Sequence, residues 1–357
     1  MPPVAALLLY CRSGFEKEAA AEIRHLTAAA ALSGFAKAQP DSAYVLFPFH
    51  QPLEDRDSTR LRFDNLIFAR QLVFLLQSEP CRLPADDRIT PLLARLRETG
   101  CVFREVRLET ADTNAAKELS GFLRKFRPAL ESALRQGGLL EKGASRTLHL
   151  FFHDSTTLLA GFSEPGNASP WPLGIPRLKS PAGAPSRSTL KLEEALLYFL
   201  SAEERQELLR EGGTAVDLGA APGGWTWQLV KRGLQVTAID NGAMDAGLMR
   251  GGQVEHLRSD GFRYRPPRSV DWLVCDMVEK PLRIAELCAG WIADGAARHA
   301  IFNLKLPMKK RHEEVQLCRE AIARTLAKTP FTLRVKQLYH DREEVTAYLR
   351  RSGQRPR

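Results

Sequence analysis

No C-x-x-C pair occurs in this 357-residue chain, and its six cysteines (11, 81, 101, 275, 288 and 318) stand scattered with no histidine at ligand spacing. That distribution suggests neither a zinc site nor a disulfide framework, and a reducing, cytoplasmic setting suits it best. Long apolar runs are missing as well. The N-terminal one, Val4 to Tyr10, is too short for a membrane span and has no basic residue before it, so it reads as a strand rather than a signal peptide. Internal repeats and low-complexity tracts are also absent. What remains is an ordinary globular composition, 44% hydrophobic and 26% charged, in a chain longer than one core usually organises. Two or three domains are expected.

Acidic charge is the scarcer sign, with 42 Asp and Glu against 51 Lys and Arg, a net +9 at neutral pH. The surplus is regional. From residue 301 onward fourteen basic side chains stand against six acids, so +8 of the +9 lies there. Such a field suits a polyanionic partner, and its phosphate contacts would carry affinity without sequence choice.

Along the chain, residues 4–10 lead through Cys11-Arg12-Ser13-Gly14 into an amphipathic helix over 15–26, where Glu16, Glu18 and Glu22 interleave with apolar positions. Strands over 33–38 and 43–48, split by a turn cluster, complete a small α+β unit spanning 1–80. A second unit over 81–164 reads as a helix at 89–98, a strand at 102–108, a helix at 113–135 and a hairpin of strands at 147–152 and 156–162. Six prolines and three glycines then crowd residues 165–185, which reads as a linker and the main domain boundary. From 186 to 357 strands alternate with helices, the strands at 214–218, 235–239, 254–257, 272–275, 300–304, 332–337 and 345–349. This pattern predicts an α/β fold with a mostly parallel seven-stranded sheet and helices on both faces. The connection over 338–344 is too short for a crossover helix, so the last two strands should pair antiparallel.

The sharpest motif is Val216-Asp217-Leu218-Gly219-Ala220-Ala221-Pro222-Gly223-Gly224-Trp225, a strand entering a glycine-rich turn that opens a helix. Glycines admit a ligand close to the backbone at the carboxyl edge of an open α/β sheet. The dinucleotide fingerprint G-x-G-x-x-G is broken, so an uncharged adenosine-like group is a better fit than a phosphate. Asp240 ends the second strand, where an acid meets ribose hydroxyls, and Asp260 follows the third, where a carboxylate could accept from an exocyclic amine. Either could equally be a loop or capping aspartate. Asp276 ends the fourth strand and Lys305 the fifth, both at the same edge. A strand-end lysine among Phe302, Leu304 and Leu306 can have its pKa lowered by burial and by a second cation, for which Lys191 is the candidate, making Lys305 a general-base candidate. The bland alternative for either lysine is a solvated surface charge.

Taken together, these segments resemble the FtsJ/RrmJ-type ribose 2'-O-methyltransferases. Ser186-Arg187-Ser188 with Lys191-Leu192, the loop Asp217 to Trp225, Asp276, Lys305 and Glu344 match that family's S-R-S-x-x-x-K-L stretch, D-L-G-A-x-P-G-G-W loop, strand-end acid, strand-end lysine and late glutamate. The strings CDMVEKP, IFNLKLPMKKR and QLYHDREEVT are similar to the M-type large-subunit ribosomal RNA methyltransferases. The resemblance implies a Rossmann-like class I methyltransferase domain behind ferredoxin-like and THUMP-like RNA-binding domains. It implies a Lys191-Asp276-Lys305-Glu344 catalytic tetrad and S-adenosylmethionine as methyl donor, with no metal. The donor contacts would be Ser188, Ala221, Pro222, Gly223, Gly224, Asp240, Asp260 and Asp276. It further implies a cytidine 2'-hydroxyl of 23S ribosomal RNA as acceptor, and a cytoplasmic monomer that engages neither membrane nor DNA. Glu343 competes with Glu344 for the last tetrad position; Glu344 is preferred because it directly precedes the final strand.

Rival chemistries lack their residues. Exocyclic-amine methyltransferases carry N/D-P-P-F/Y after the fourth strand, where this chain has Asp276-Met277-Val278-Glu279. A carbon-5 enzyme needs a nucleophilic cysteine, and Cys275 lies on an apolar strand, facing away from the side of Asp276. A nicotinamide dehydrogenase meets the broken fingerprint. The alternative from another class is a non-catalytic RNA-binding or ribosome-assembly factor that retains the fold.

Overall fold

The apolar run Val4–Tyr10 forms β1, whose side chains are buried on both faces, as the middle of a covered sheet requires. In the computed structural model, which describes residues 3–54 and 59–352, the chain divides into two units, residues 1–176 and 177–357. In the first unit β1 is followed by α1 (Glu16–Ala29), β2 (Lys37–Ala38), β3 (Tyr44–Leu53), β4 (Gln71–Leu75), β5 (Cys81–Arg82), α2 (Ile89–Glu98), β6 (Glu105–Glu109), α3 (Ser120–Gln136), β7 (Thr147–Phe152) and β8 (Thr157–Ser163). One sheet runs through it in the order β2-β3-β1-β4-β8-β7-β6, with β5 also on β8. Among the named strands of this unit, β6 and β7 alone pair in parallel.

Three expectations change here. Strand β4, to which the sequence reading assigned nothing, is fully buried and joins the two halves of the sheet through Phe74 and Leu75 against β8. The helix expected over 113–135 starts as a 3-10 turn at Ala115–Leu119 and becomes α-helical only at Ser120. The acids of α1 are not a solvated face: Glu16, Glu18 and Glu22 are all buried. Glu22 accepts backbone N–H bonds from Ile67 (2.6 Å), Phe68 (3.0 Å) and Ala69 (2.6 Å), and Glu16 accepts from Ala43 (2.9 Å). These acids satisfy loop amides that have no strand partner. The first part of the proline-rich stretch packs with this unit, where Gln71 exchanges hydrogen bonds with the Ser169 backbone and Asn167 with Leu61 and Phe63.

The second unit comprises α4 (Thr189–Phe199), α5 (Ala202–Leu208), β9 (Thr214–Leu218), α6 (Gly224–Val230), β10 (Gln235–Ile239), α7 (Ala246–Arg250), β11 (Val254–Leu257), β12 (Val270–Cys275), α8 (Pro281–Ala293), β13 (Ala297–Lys305), α9 (Arg311–Thr325), β14 (Phe331–Lys336) and β15 (Glu344–Arg351). Its seven-stranded sheet is ordered β11-β10-β9-β12-β13-β15-β14. The first five strands are parallel, and β15 inserts antiparallel between β13 and β14. Trp272, Val274, Ile301 and Tyr348 from three adjacent strands pack with Leu192, Leu196 and Phe199 of α4 in one cluster. Burying such side chains stabilises by about 2 kcal/mol each.

The structure places the basic residues of this end individually. Helix α9 starts at Arg311, so exposed Lys309 and Lys310 sit in the loop ahead of it. The last strand, expected over 345–349, runs on through Arg350 and Arg351, and Arg350 pairs with Glu204 at 3.5 Å. Arg355 and Arg357 lie outside the described residues. No helix among the described residues is long and apolar enough to cross a membrane.

Candidate active site

Register brings the chemistry to one edge. Leu218, Ile239, Leu257 and Cys275 end their parallel strands in line, so Gly219, Asp240, Arg258 and Asp276 leave the sheet side by side. The strand order reverses between β9 and β12, and the crevice outside such a reversal is where open α/β sheets take ligands.

Four charged side chains converge beside that crevice. On β13, Lys305 lies directly opposite Glu344 of β15 in the antiparallel register, and the Lys305 ammonium donates to Glu344 Oε2 and to Asp276 Oδ1. Lys191, from the first turn of α4, contacts Glu344 Oε1 and lies 3.4 Å from Asp276 Oδ2. Each lysine thus meets both acids. The four are largely but not wholly buried, with side-chain exposures of 17% for Lys191, 23% for Lys305, 16% for Asp276 and 5% for Glu344. Burial by itself would lower the Lys305 pKa, but Asp276 and Glu344 outweigh it and raise it above the ordinary lysine value. This corrects the expectation of a lowered pKa: in the free site Lys305 is an ammonium. The sequence ambiguity resolves in space, because Glu343 is exposed and turns away to pair with Arg311 while Glu344 faces both lysines.

Several of the residues expected to contact a ligand lie on or beside the glycine turn. Gly223 has φ of +116° and opens α6, a conformation that favours glycine. Gly224 lies so close to Ser188 that a Cβ there would stand 2.2 Å from the Ser188 hydroxyl. The Ser188 and Ser186 hydroxyls are 2.6 Å apart, and Thr189 donates to the Gly224 carbonyl at 2.9 Å, fixing α4 against the turn. Ala221 and Pro222 are joined by a cis peptide bond. Asp240 folds back over the turn, accepting from Ala221 N–H (3.0 Å) and Gly242 N–H (2.7 Å). Asp260 is exposed, accepts from Phe262 N–H at 2.8 Å and lies 3.6 Å from Arg263. Beneath the turn Asp217 is fully buried. Thr226 donates to one of its oxygens at 2.6 Å, the other oxygen has no hydrogen-bond partner, and burial together with the charges of Asp276 and Asp240 pushes its pKa up to about 7. Cys275 is buried, and every cysteine is free.

Sequence reasoning missed two supporting residues. Asn303, two positions before Lys305 on the same face of β13, donates to Asp276 Oδ1 at 3.0 Å. The strand period of two was the available signal. Glu194, one turn after Lys191 on α4, accepts from the N–H groups of Tyr339 (2.8 Å) and His340 (2.9 Å), and its Oε2 lies 2.6 Å from His340 Nδ1. It ties the helix bearing Lys191 to the loop leading into Glu344, a pairing across 146 positions that no local pattern displays.

Known proteins are similar to this chain over nearly its whole length. A protein of Methylococcus capsulatus named ribosomal RNA large subunit methyltransferase M is 56% identical over 98% of this chain and 99% of its own length. The chain belongs to the ribosomal RNA large subunit methyltransferase M family. Members from Thauera aminoaromatica and Shewanella woodyi are 51% and 48% identical over 97% and 96% of the chain, covering 96% and 98% of the relatives. The family's ferredoxin-like domain matches residues 4–73, its N-terminal domain 87–164, and an FtsJ-like methyltransferase domain 184–339. The tetrad lysines and Asp276 therefore fall within the FtsJ-like match, and Glu344 lies five residues beyond it.

Proposed function

We propose that the protein transfers a methyl group from S-adenosylmethionine to the ribose 2'-hydroxyl of a cytidine in 23S ribosomal RNA, with Lys305 as general base. The observation that carries this reading is the convergence of Lys191, Asp276, Lys305 and Glu344 beside the glycine turn, two lysines sharing two carboxylates. The donor's chemistry fits the residues present. Asp217, Asp240, Asp260 and Asp276 stand at or next to strand ends on one side of the sheet, and burial, with the charges of Asp276 and Asp240 added, raises the Asp217 pKa. Such an edge favours a cation and offers acceptors to a ribose diol, while Gly223 and Gly224 let the turn pack tightly against Leu248 and Ser188. Ser188, Ala221 to Gly224, Asp240, Asp260 and Asp276 are the residues that would hold it. When bound, S-adenosylmethionine supplies a methyl group activated by positive sulfur.

Lys305 must lose its proton before it can accept the one on the 2'-hydroxyl. Added positive charge and dehydration in the filled site, with Lys191 beside it, work in that direction against the two acids. Lys191 also orients the hydroxyl, while Asp276 and Glu344 hold both ammonium groups in register. Most of the acceleration would come from alignment of oxygen, methyl and sulfur. The exposed Lys309 and Lys310 beside the site would contact RNA phosphates. Residues 1–80 and 81–164 would act as substrate-presenting domains, linked through 165–185, in a cytoplasmic monomer.

The test is transfer of tritiated methyl to 23S RNA from cells lacking the enzyme, followed by mapping of the modified ribose. Lys305→Ala should retain donor binding and lose about 100-fold or more in kcat. Undiminished transfer by that variant, or label on a base, would overturn the reading.

A further inference from the structure

Apolar side chains that reach into water gain nothing from folding, and two of them stand beside the tetrad. Val278 is 92% exposed and Met308 88%, the highest values for large apolar side chains among the described residues. Scattered singly, such residues are ordinary, but these two share an edge. Strands β12 and β13 are parallel neighbours with Cys275 opposite Phe302. Val278 lies two residues past Asp276 on the loop leaving β12, and Met308 three past Lys305 on the loop leaving β13. Chain length alone therefore keeps their Cα atoms within about 8 and 11 Å of those two residues, whose side chains touch each other. Both loops are pinned. Met277 packs so closely against Gly219 and Gly261 that a Cβ on either would stand 2.8 Å from it, and Glu279 pairs with Arg283 of α8, which leaves Val278 outward between them. Leu306 N–H donates to the Glu343 carbonyl at 2.7 Å and Arg311 pairs with the Glu343 carboxylate, so residues 307–310 are held at both ends. Exposed lysines follow each apolar residue, Lys280 after Val278 and Lys309 and Lys310 after Met308.

We propose that Val278 and Met308 form an apolar rest for the nucleobase of the nucleotide being methylated, positioning its 2'-hydroxyl at the tetrad. The reacting oxygen is carried by C2', and the adjoining C1' carries the base. A ribose placed at Lys191, Asp276, Lys305 and Glu344 therefore brings its base within reach of the side chains around them. A base lifted out of its stack presents flat, weakly hydrated faces, which aliphatic side chains cover at a gain. Methionine, unbranched and polarisable, conforms to such a face better than a stiffer side chain. The three lysines suit the phosphates that flank the nucleoside on either side. A protein partner would find only two apolar side chains set among lysines, far less than a stable interface buries, and would close the site to its substrate. Every base has an apolar face, so the pair positions the nucleotide and does not choose it.

This inference rests on the methyl-transfer reading, and the experiment separates the two. Transfer from tritiated S-adenosylmethionine is measured on two 23S RNA transcripts, one intact and one carrying an abasic ribose at the mapped target. The proteins are the parent, the double variant Val278→Ala with Met308→Ala, Met308→Leu and Lys305→Ala, each with thermal melts and donor affinity. On intact RNA the double variant should lose roughly tenfold in kcat/KM at unchanged melting and donor affinity. On abasic RNA, which has no base to hold, it should fall less than about twofold below the parent. Met308→Leu keeps the apolar surface and should stay within about twofold of the parent on both. Should transfer to abasic RNA be too slow to read, dissociation constants from filter binding replace kcat/KM in the same comparison. Parental kcat/KM for the double variant on intact RNA, or equal losses on the two RNAs, would overturn the proposal. So would a parent that sediments as a dimer where the double variant is a monomer, since the pair would then meet a second copy. An inactive Lys305→Ala beside a fully active double variant sinks the base rest alone, and an active Lys305→Ala sinks the tetrad beneath it.

Discussion

Buried carboxylates do opposite work in the two units. In the first, Glu22 spends both oxygens on three backbone N–H groups, and Glu109 is enclosed by Tyr10, His149 and Leu173, at 2.8, 2.8 and 2.7 Å. The donors named there are backbone N–H groups, one phenol and one imidazole ring. In the second, Asp276 and Glu344 face two ammonium groups at a sheet edge that keeps 16–23% exposure at three of the four side chains. The first arrangement holds loops against a sheet, whereas the second stores charge where a substrate can alter its balance. A buried acid therefore reads as structural or chemical according to whether its partners can move or exchange a proton.

That contrast can be broken by substitution. Lys305→Ala, with its loss of about 100-fold in kcat, should shift unfolding free energy by no more than about 1 kcal/mol in urea titration, since the edge tolerates loss of one of two cations. Glu22→Ala should do the reverse: about 3 kcal/mol of stability lost in the same titration, because three buried amides lose their acceptor, with kcat of the folded fraction retained. A Glu22→Ala protein as stable as its parent would erase the distinction.

Acid provides a second lever. Burial alone would raise the Glu109 pKa, but the adjacent His149, the Leu173 N–H and the Tyr10 hydroxyl outweigh it and hold it below the ordinary 4.5. A carboxyl depressed in the folded state contributes stability above its unfolded pKa and loses it as pH falls through the folded value. Melting midpoints followed downward from pH 5 should therefore drop less steeply in Glu109→Gln than in the parent. The smallest effect belongs to the Arg350–Glu204 pair, both more than a third exposed. Arg350→Ala should cost under about 1 kcal/mol, and a larger loss would show that this rim pair is worth more than exposed pairs usually are.

The sequence was most legible where information is local. Strands β7, β9, β10 and β11 and helix α2 fall on the residues expected from their apolar runs and turn signals, and β14 and β15 pair antiparallel as their short connection requires. Strand β4 escaped because its continuous apolar run, Leu72 to Leu75, lacks the alternation that distinguishes a strand. The acids of α1 were misjudged because a glutamate at helical spacing looks solvated until its N–H donors, 45 to 47 positions away for Glu22, are known.

Charge and motif pointed to the second half of this chain and singled out Asp276 and Lys305 at strand ends with Lys191 as a second cation, and the family resemblance added Glu344. Only the tertiary structure decided that Glu344 rather than Glu343 meets both lysines, that Lys305 rests as an ammonium, and that Glu194 and Asn303 stand behind the site. Those outcomes depend on register and on which oxygen faces which proton. Both are set by strand pairing and burial across dozens of residues, which a linear pattern does not encode.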